Sequence, residues 1–142
     1  MSRSRIPKHL RDGITTQFKS RCAYCQTQQK ISGISLTVDH IVPESLGGVT
    51  TLQNLCLACW DCNLAKGNRI ALFDDTTKEQ VRLFHPQRQS WSEHFTWSTD
   101  ASLILGKTAT GRVTVIALQM NRVSLVISRR LWQQVGWHPP SD

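Results

Sequence analysis

The chain has 142 residues, which is enough for one compact domain and too few for two ordinary ones. Its apolar runs extend over only a few residues, as at 103–105, which excludes the roughly 20 apolar residues that a membrane span requires. The N-terminus is basic but has no apolar stretch behind it, so we expect no secretory signal and a cytoplasmic location.

Positive charge is concentrated at the N-terminus. The net charge is +7, and residues 1–30 hold seven Lys and Arg against the single acid Asp12, whereas residues 31–142 hold ten against nine. Clustered cations neutralise phosphates and release counterions, which gives nucleic-acid binding its sequence-independent affinity. The alternative is a solvated tail that only aids solubility.

A four-residue spacing of apolar side chains predicts an amphipathic helix that begins near Pro7. Its apolar stripe should face the core and leave a basic face free for phosphate. Gly13 is the weak point, since glycine costs about 1 kcal/mol relative to alanine inside a helix. The stripe consists of Ile6, Leu10, Ile14 and Phe18.

The next predicted elements are two short strands and a helix. Alternating, β-branched residues at 34–38 predict a strand that runs on through 39–42 and ends at Pro43. Residues 54–57 predict the second strand, and a short helix over 62–66 should follow.

Beyond the short helix, residues 70–90 give no firm period, and Pro86 indicates an irregular connection. Thr110 is predicted to cap a helix, because a threonine hydroxyl accepts hydrogen bonds from the first helical amides. The last four predicted elements are two strands and two helices, at 95–97, 102–105, 110–120 and 121–135.

Four of the five cysteines form two C-x2-C pairs, and such pairs predict a zinc site. Two intervening residues let a tight turn direct both sulfurs at one metal, and two such turns complete a tetrahedron. A redox C-x-x-C is the alternative, although no thioredoxin-like βαβ pattern surrounds either pair. Cys56 does not fit the pairs, and we predict a buried small hydrophobic residue there rather than a fifth ligand. The predicted structural zinc ligands are Cys22, Cys25, Cys59 and Cys62.

A second motif lies between and just after the cysteine pairs. Its residues are Asp39, His40, Asn54 and Asn63. From residue 22 to residue 67 the order and spacing closely resemble the HNH endonuclease signature, in the subgroup whose active site is bracketed by zinc-binding C-x2-C turns. The resemblance implies an α+β fold with a ββα-metal core. We expect the N-terminal helix and this core to fill residues 1–70, and residues 71–142 to form a C-terminal extension packed on the core.

The resemblance implies a role for each residue of the second motif. His40 matches the general base that deprotonates water, a task suited to an imidazole, which titrates near pH 6.5. Asp39 matches the metal-binding acid, whose hard oxygen suits Mg²⁺ or Mn²⁺. Asn54 matches the central asparagine that braces the loop so that the base points correctly. Asn63 stands where many members carry histidine, and it is implied to be the second metal ligand through its amide oxygen.

These roles imply phosphodiester hydrolysis with one divalent ion. Asp39 and Asn63 bring a single negative charge, so we expect weak metal binding that water and phosphate complete. The ion would stabilise the 3′ leaving oxygen. Zinc, with four thiolates and no open position, would serve structure alone.

Two charged residues near the motif have alternative interpretations. Lys66 lies one helical turn beyond Asn63 and would either contact a phosphate or be a solvated surface lysine. Glu44 would either assist the metal or be a solvated loop acid.

The sequence therefore predicts a metal-dependent HNH endonuclease that cuts DNA, with double-stranded DNA as the favoured substrate. One core holds one nuclease centre, so a double-strand break would need a dimer or two successive nicks. The alternative is a zinc-stabilised nucleic-acid-binding module that has kept the fold and lost the chemistry. Asn63 is the feature that keeps this alternative open.

Overall fold

The computed structural model describes residues 5–141, so Arg3 of the basic N-terminal segment lies outside the described residues. Helices and small antiparallel sheets follow one another along the chain, which confirms the predicted α+β class. No helix within residues 5–141 is long and apolar enough to cross a lipid bilayer. The helices are α1 (Lys8–Gln17), α2 (Gln29–Ser32), α3 (Trp60–Lys66), α4 (Trp91–His94), α5 (Ala109–Ala117) and α6 (Val123–Gln134). The strands are β1 (Leu36–His40), β2 (Leu55–Cys59), β3 (Ala71–Asp74), β4 (Glu79–Arg82), β5 (Phe95–Trp97) and β6 (Ile104–Gly106).

Helix α1 packs its apolar stripe on the strand that precedes the second cysteine pair. Ile14 is fully buried and clusters with Leu55 of β2. The helix is continuous through Gly13, so the predicted weak point does not break it. On the opposite face, Lys8 is exposed and pairs with Asp12 at 2.6 Å.

Strands β1 and β2 form an antiparallel pair that leads directly into α3. Leu36 pairs with Cys59, and His40 pairs with Leu55. Cys59 is the last residue of β2, and α3 follows it directly. Residues before Leu36 therefore have no strand to pair with, and β1 begins at Leu36 rather than at residue 34. This ββα unit carries residues 39, 40 and 63 of the second motif.

The predicted irregular connection over 70–90 is wrong for its first half, which is the hairpin formed by β3 and β4. Asp74 and Glu79 are the innermost pair of this hairpin. Asp74 closes the turn by accepting hydrogen bonds from the amide and the hydroxyl of Thr77, at 3.0 and 2.7 Å. Most residues of the two strands lie at the surface, so the alternation of buried and exposed positions that identifies a strand is weak here.

The predicted cap of α5 is wrong by two residues. The hydroxyl of Thr108, not that of Thr110, accepts from the amide of Gly111 at 3.0 Å. Both threonines precede the same apolar run, and the extended backbone of Thr108, with φ −131° and ψ 170°, makes it the capping residue. The short helices α2 and α4 were not predicted, because four residues carry too little periodicity.

One hydrophobic cluster joins the cysteine region to the residues after 71. Tyr24 packs edge-on against Phe84 with ring centroids 6.5 Å apart, and Phe84 packs against Phe95 at 5.2 Å. The indole of Trp91 donates to the carbonyl of Tyr24 at 2.8 Å. The extension therefore packs against the turn that carries Cys22 and Cys25.

Candidate functional site

The four paired cysteines converge on one point. All four sulfurs lie within 4.8 Å of one another, and those of Cys25 and Cys59 are 3.6 Å apart. Thiolates bound at 2.3 Å around tetrahedral zinc would lie about 3.8 Å apart, so the cluster has the size and the donor set of a zinc site. The structure thus brings together the four predicted ligands, with side chains closed off from solvent.

Backbone geometry fixes both cysteine turns. The amide of Ala23 ties the first turn to β2 through the carbonyl of Leu57, at 2.8 Å. The second pair begins α3, since Cys59 is the extended residue that precedes the first helical turn. Hydrogen bonds from neighbouring thiols, that of Cys22 first, hold the pKa of Cys25 well below its usual range.

Cys56, the cysteine that belongs to neither C-x2-C pair, lies outside the cluster. It is fully buried on β2, where its thiol lies 3.7 Å from the hydroxyl of Tyr24 and donates to it. Burial raises the pKa of Cys56 to about 12. The prediction of a buried small residue is confirmed.

A cation from the extension covers the cysteine sulfurs. The guanidinium of Arg122 lies 3.4 Å from the sulfur of Cys59 and 3.8 Å from that of Cys62, and its Nε lies 3.6 Å from the carboxylate of Asp61. Burial alone would lower the pKa of Arg122, but attraction by Cys62, Cys25 and Cys59 raises it above its ordinary value. The sequence interpretation missed this residue because it lies 60 positions beyond Cys62, outside any local pattern.

His40 lies at the end of β1 with its ring enclosed, and only 3% of the residue is exposed. Its Nε2 is 2.9 Å from the hydroxyl oxygen of Thr50, a partner that the sequence interpretation did not identify. Its Nδ1 is buried and has no hydrogen-bond partner among residues 5–141, and a carboxylate oxygen of Glu44 lies 4.0 Å away. When Nε2 carries the proton and donates it to Thr50, the lone pair of Nδ1 is left to accept another.

Asn54 clamps the loop that follows β1. Its Oδ1 accepts from the amide of Val42 at 2.9 Å, and its Nδ2 donates to the carbonyls of Val42 and Val49 at 3.0 and 2.9 Å. Its backbone carbonyl also accepts from Ile41 at 2.8 Å. Only glycine fits at position 48, because a Cβ there would lie 1.8 Å from the carbonyl oxygen of Val42 and 2.9 Å from the Asn54 amide nitrogen. The clamp therefore sets the course of the chain directly after His40.

Asp39 and Asn63 are both buried, on β1 and α3, two elements that pack against each other. A carboxylate and an amide offer the hard oxygen donors that Mg²⁺ and Mn²⁺ prefer. Within the described part of the chain, the four-cysteine cluster is the only group of three or more Cys, His, Asp or Glu that could hold a metal ion. A divalent ion at Asp39 and Asn63 stays a prediction from the sequence.

Lys66 does not point into solvent. The residue is 2% exposed, and its Nζ donates to the carbonyl of Ile41 at 2.9 Å. Burial lowers the pKa of Lys66, and attraction to Asp39 offsets part of this effect. The interpretation of Lys66 as a solvated surface lysine is therefore wrong. A direct contact with phosphate would require the Lys66 ammonium to give up its hydrogen bond to the carbonyl of Ile41.

The comparisons with known proteins agree with the motif. Residues 22–69 match the HNH endonuclease family, which confirms the resemblance over that segment. The chain is also 28% identical over 138 residues to the Septu protein PtuA of Bacillus mycoides (strain KBAB4). That match covers 79% of this chain and 19% of the relative, so the chain spans a small part of the relative's length. No solved structure matches the chain significantly.

Proposed function

We propose, from the HNH endonuclease match over residues 22–69, that this protein is a metal-dependent endonuclease that hydrolyses phosphodiester bonds in DNA. One observation carries the proposal: the imidazole of His40 is held through Nε2 by Thr50, while its buried Nδ1 has no hydrogen-bond partner within residues 5–141. A ring held in this way is suited to remove a proton from water.

In the proposed reaction, Nδ1 of His40 accepts a proton from a water molecule as that water attacks phosphorus. In this reaction the Thr50 hydroxyl accepts a hydrogen bond from Nε2, 2.9 Å away, which helps to orient the ring. A carboxylate oxygen of Glu44 lies 4.0 Å from Nδ1, on the side of the ring that would take the proton.

Asp39 and Asn63 are the residues that would hold a Mg²⁺ or Mn²⁺ ion, and such an ion would supply positive charge where negative charge develops on the 3′ leaving oxygen. Asn54 acts through the loop, since its three side-chain hydrogen bonds keep residues 42–49 in place beside His40. The cysteine cluster would hold zinc, and with four thiolates this ion has no position for water and would only stabilise the fold.

Plasmid nicking by the full chain tests the proposal. A chelator would also strip zinc, so Mg²⁺ or Mn²⁺ is compared with Ca²⁺ at equal concentration. We expect nicking with Mg²⁺ or Mn²⁺, and we expect His40→Ala to abolish it while DNA binding is retained. Equal nicking by the wild type and His40→Ala would remove His40 from the mechanism.

His94 provides a matched control for the His40 variant. Its Nδ1 forms a hydrogen bond to the hydroxyl of Thr108 at 2.7 Å, so His94→Ala also breaks a histidine–threonine pair, but in the extension. We expect His94→Ala to nick DNA at a temperature where both variants remain folded. Loss of nicking in both variants would indicate that the effect arises from folding.

A second candidate function is nucleic-acid binding without cleavage. The burial of Asp39 and His40 favours it, because a substrate phosphate must come within contact of groups that are 5% and 3% exposed. A protein of this kind would shift DNA in a gel with any divalent ion and would leave the plasmid supercoiled.

A further inference from the structure

A cavity of about 330 Å³ opens beside the end of β1, where the ββα unit meets the extension. Ile41 and Val42, the two residues that follow His40, line one side together with Lys66. The other side comes from the extension, mainly from residues 82–85 and 88–89. The volume lies at the lower end of the range for small-ligand sites.

The cavity is electropositive. Arg82 and Arg88 line it, and both residues are exposed at its rim. Neither guanidinium has a hydrogen-bond or ion-pair partner within residues 5–141. No Asp or Glu is among the lining residues, so these charges are not neutralised at the cavity.

His85 adds a directed donor to this cavity. Its Nδ1 accepts from the amide of Gln87 at 3.3 Å, which leaves the proton of the neutral ring on Nε2. Burial lowers the pKa of His85, and the positive charges of Arg88, Arg82 and Lys66 lower it further. Three cations from β4, α3 and the loop after β4 therefore act on one imidazole.

The loop that carries His85 and Arg88 is held by its own hydrogen bonds. The carbonyl of His85 accepts from the amides of Arg88 and Gln89 at 3.0 and 2.9 Å, and the side chain of Gln89 accepts from the amide of His85 at 2.8 Å. A fixed loop presents its charged groups with little further loss of conformational freedom on binding.

We propose that this cavity binds a backbone phosphate of the nucleic acid next to the scissile bond, with Arg82 and Arg88 as its ligands and His85 as a hydrogen-bond donor. The inference rests on the proposed function. Ile41 and Val42, which line the cavity, follow His40 directly in the chain, so the cavity adjoins the proposed catalytic residue. A strand with its scissile phosphate at His40 would therefore pass close to the cavity.

The test is DNA binding by the full chain carrying Arg82→Gln and Arg88→Gln, measured by fluorescence anisotropy with a labelled duplex in Ca²⁺ buffer. Loss of this phosphate contact should lower the slope of log affinity against log salt by about 1, and the affinity at low salt by about tenfold or more. Arg130→Gln is the control, since Arg130 is exposed on α6, pairs with Asp100 and does not line the cavity. Unchanged affinity and slope in the double variant would overturn the proposal.

Binding of inorganic phosphate and of a mononucleotide is measured on the same proteins. These measurements show whether the cavity binds a phosphate of DNA or a small phosphate-bearing molecule. If the double variant loses binding of these small ligands but keeps the wild-type DNA slope, the cavity is a small-molecule site and the proposal is wrong. The outcome for the nuclease is independent. A protein that never nicks DNA, but whose double variant loses the phosphate contact, supports the cavity and refutes the enzyme, whereas normal nicking with an unchanged slope does the reverse.

Discussion

Arg122, the residue that precedes α6, directs its guanidinium at the sulfur of Cys59, with Nη2 3.4 Å from Sγ. Four thiolates around Zn²⁺ carry a net charge of −2, and a buried site of that charge needs a compensating cation. Arg122, which lies in the extension, contributes one positive charge beside the sulfurs. The contact therefore links the C-terminal helix to the stability of the cysteine cluster.

Replacing Arg122 with Gln should weaken zinc binding. The substitution removes both the positive charge and the donors that face the sulfurs, and loss of such outer partners lowers metal affinity by about 10- to 100-fold. Competition with a chromophoric chelator measures the affinity directly. Arg130→Gln, at an exposed position on α6, should bind zinc like the wild type. Unchanged zinc affinity together with a lower melting temperature would mean that Arg122 acts only through packing.

Asn54→Ala should destabilise the protein and also impair cleavage. The change leaves the amide of Val42 and two loop carbonyls without their partners, a loss of about 2–4 kcal/mol in the free energy of unfolding. It also frees the loop beside His40. Chemical denaturation and plasmid nicking, both at low temperature, measure the two effects.

Asn121 offers a matched control for Asn54. Its side chain clamps Ile104 in the same way, accepting from the amide at 2.8 Å and donating to the carbonyl at 2.9 Å. Asn121→Ala should therefore lose comparable stability and keep its nicking rate where it is folded. Equal loss of nicking in both variants would argue against a specific role for Asn54.

The ββα unit could be predicted because its signals are local. Alternation with β-branched residues identified β1, and the C-x2-C spacing placed the turn before α3, although β1 ends at His40 rather than running on to Pro43. The grouping of the four cysteines followed from the two C-x2-C pairs, and the α+β class followed from the resemblance over residues 22–67. The alternation spans fewer than ten residues, and the cysteine pairs rely on a spacing that the metal itself requires.

The remaining parts depend on contacts that no short window contains. Helical spacing correctly placed Lys66 near Asn63, but only the packing of α3 on β1 determines that its ammonium is buried against Ile41. Arg122 approaches Cys62 across 60 positions. The cavity likewise arises only where the loop after β4 folds back beside Val42.

The ion pair between Asp74 and Arg112 should make stability depend on acid pH. Arg112 donates to Asp74 at 3.0 and 3.4 Å and ties the β3–β4 hairpin to α5. The Arg112 guanidinium first, and then Thr77, lower the pKa of Asp74 to about 2. Because the folded value lies below the usual value of about 3.9, the stabilisation is complete above about pH 4 and is lost as the pH falls toward 2.

Asp74→Asn should therefore be less stable than the wild type at pH 7, and the difference should shrink between about pH 4 and pH 2. Thermal unfolding as a function of pH measures it. Asp75→Asn is the control, because Asp75 is the exposed neighbour in the same hairpin and should follow the wild-type curve. A constant difference between Asp74→Asn and the wild type at every pH would contradict the ion-pair explanation.

Thr50→Val should slow cleavage while leaving DNA binding intact. Valine keeps the shape of the side chain but removes the oxygen that lies 2.9 Å from Nε2 of His40. Loss of one orienting hydrogen bond is worth about 1 kcal/mol, so we expect the rate to fall by roughly tenfold or somewhat less. Nitrogen NMR of the His40 ring at neutral pH checks the cause, since the wild type should carry its proton on Nε2 and the variant should be a mixture of tautomers. Thr108→Val removes the corresponding hydroxyl from His94 and should not change the cleavage rate of the folded protein. A wild-type ring already protonated on Nδ1 would leave His40 unable to accept a proton there, and the proposed base would be wrong whatever the rates.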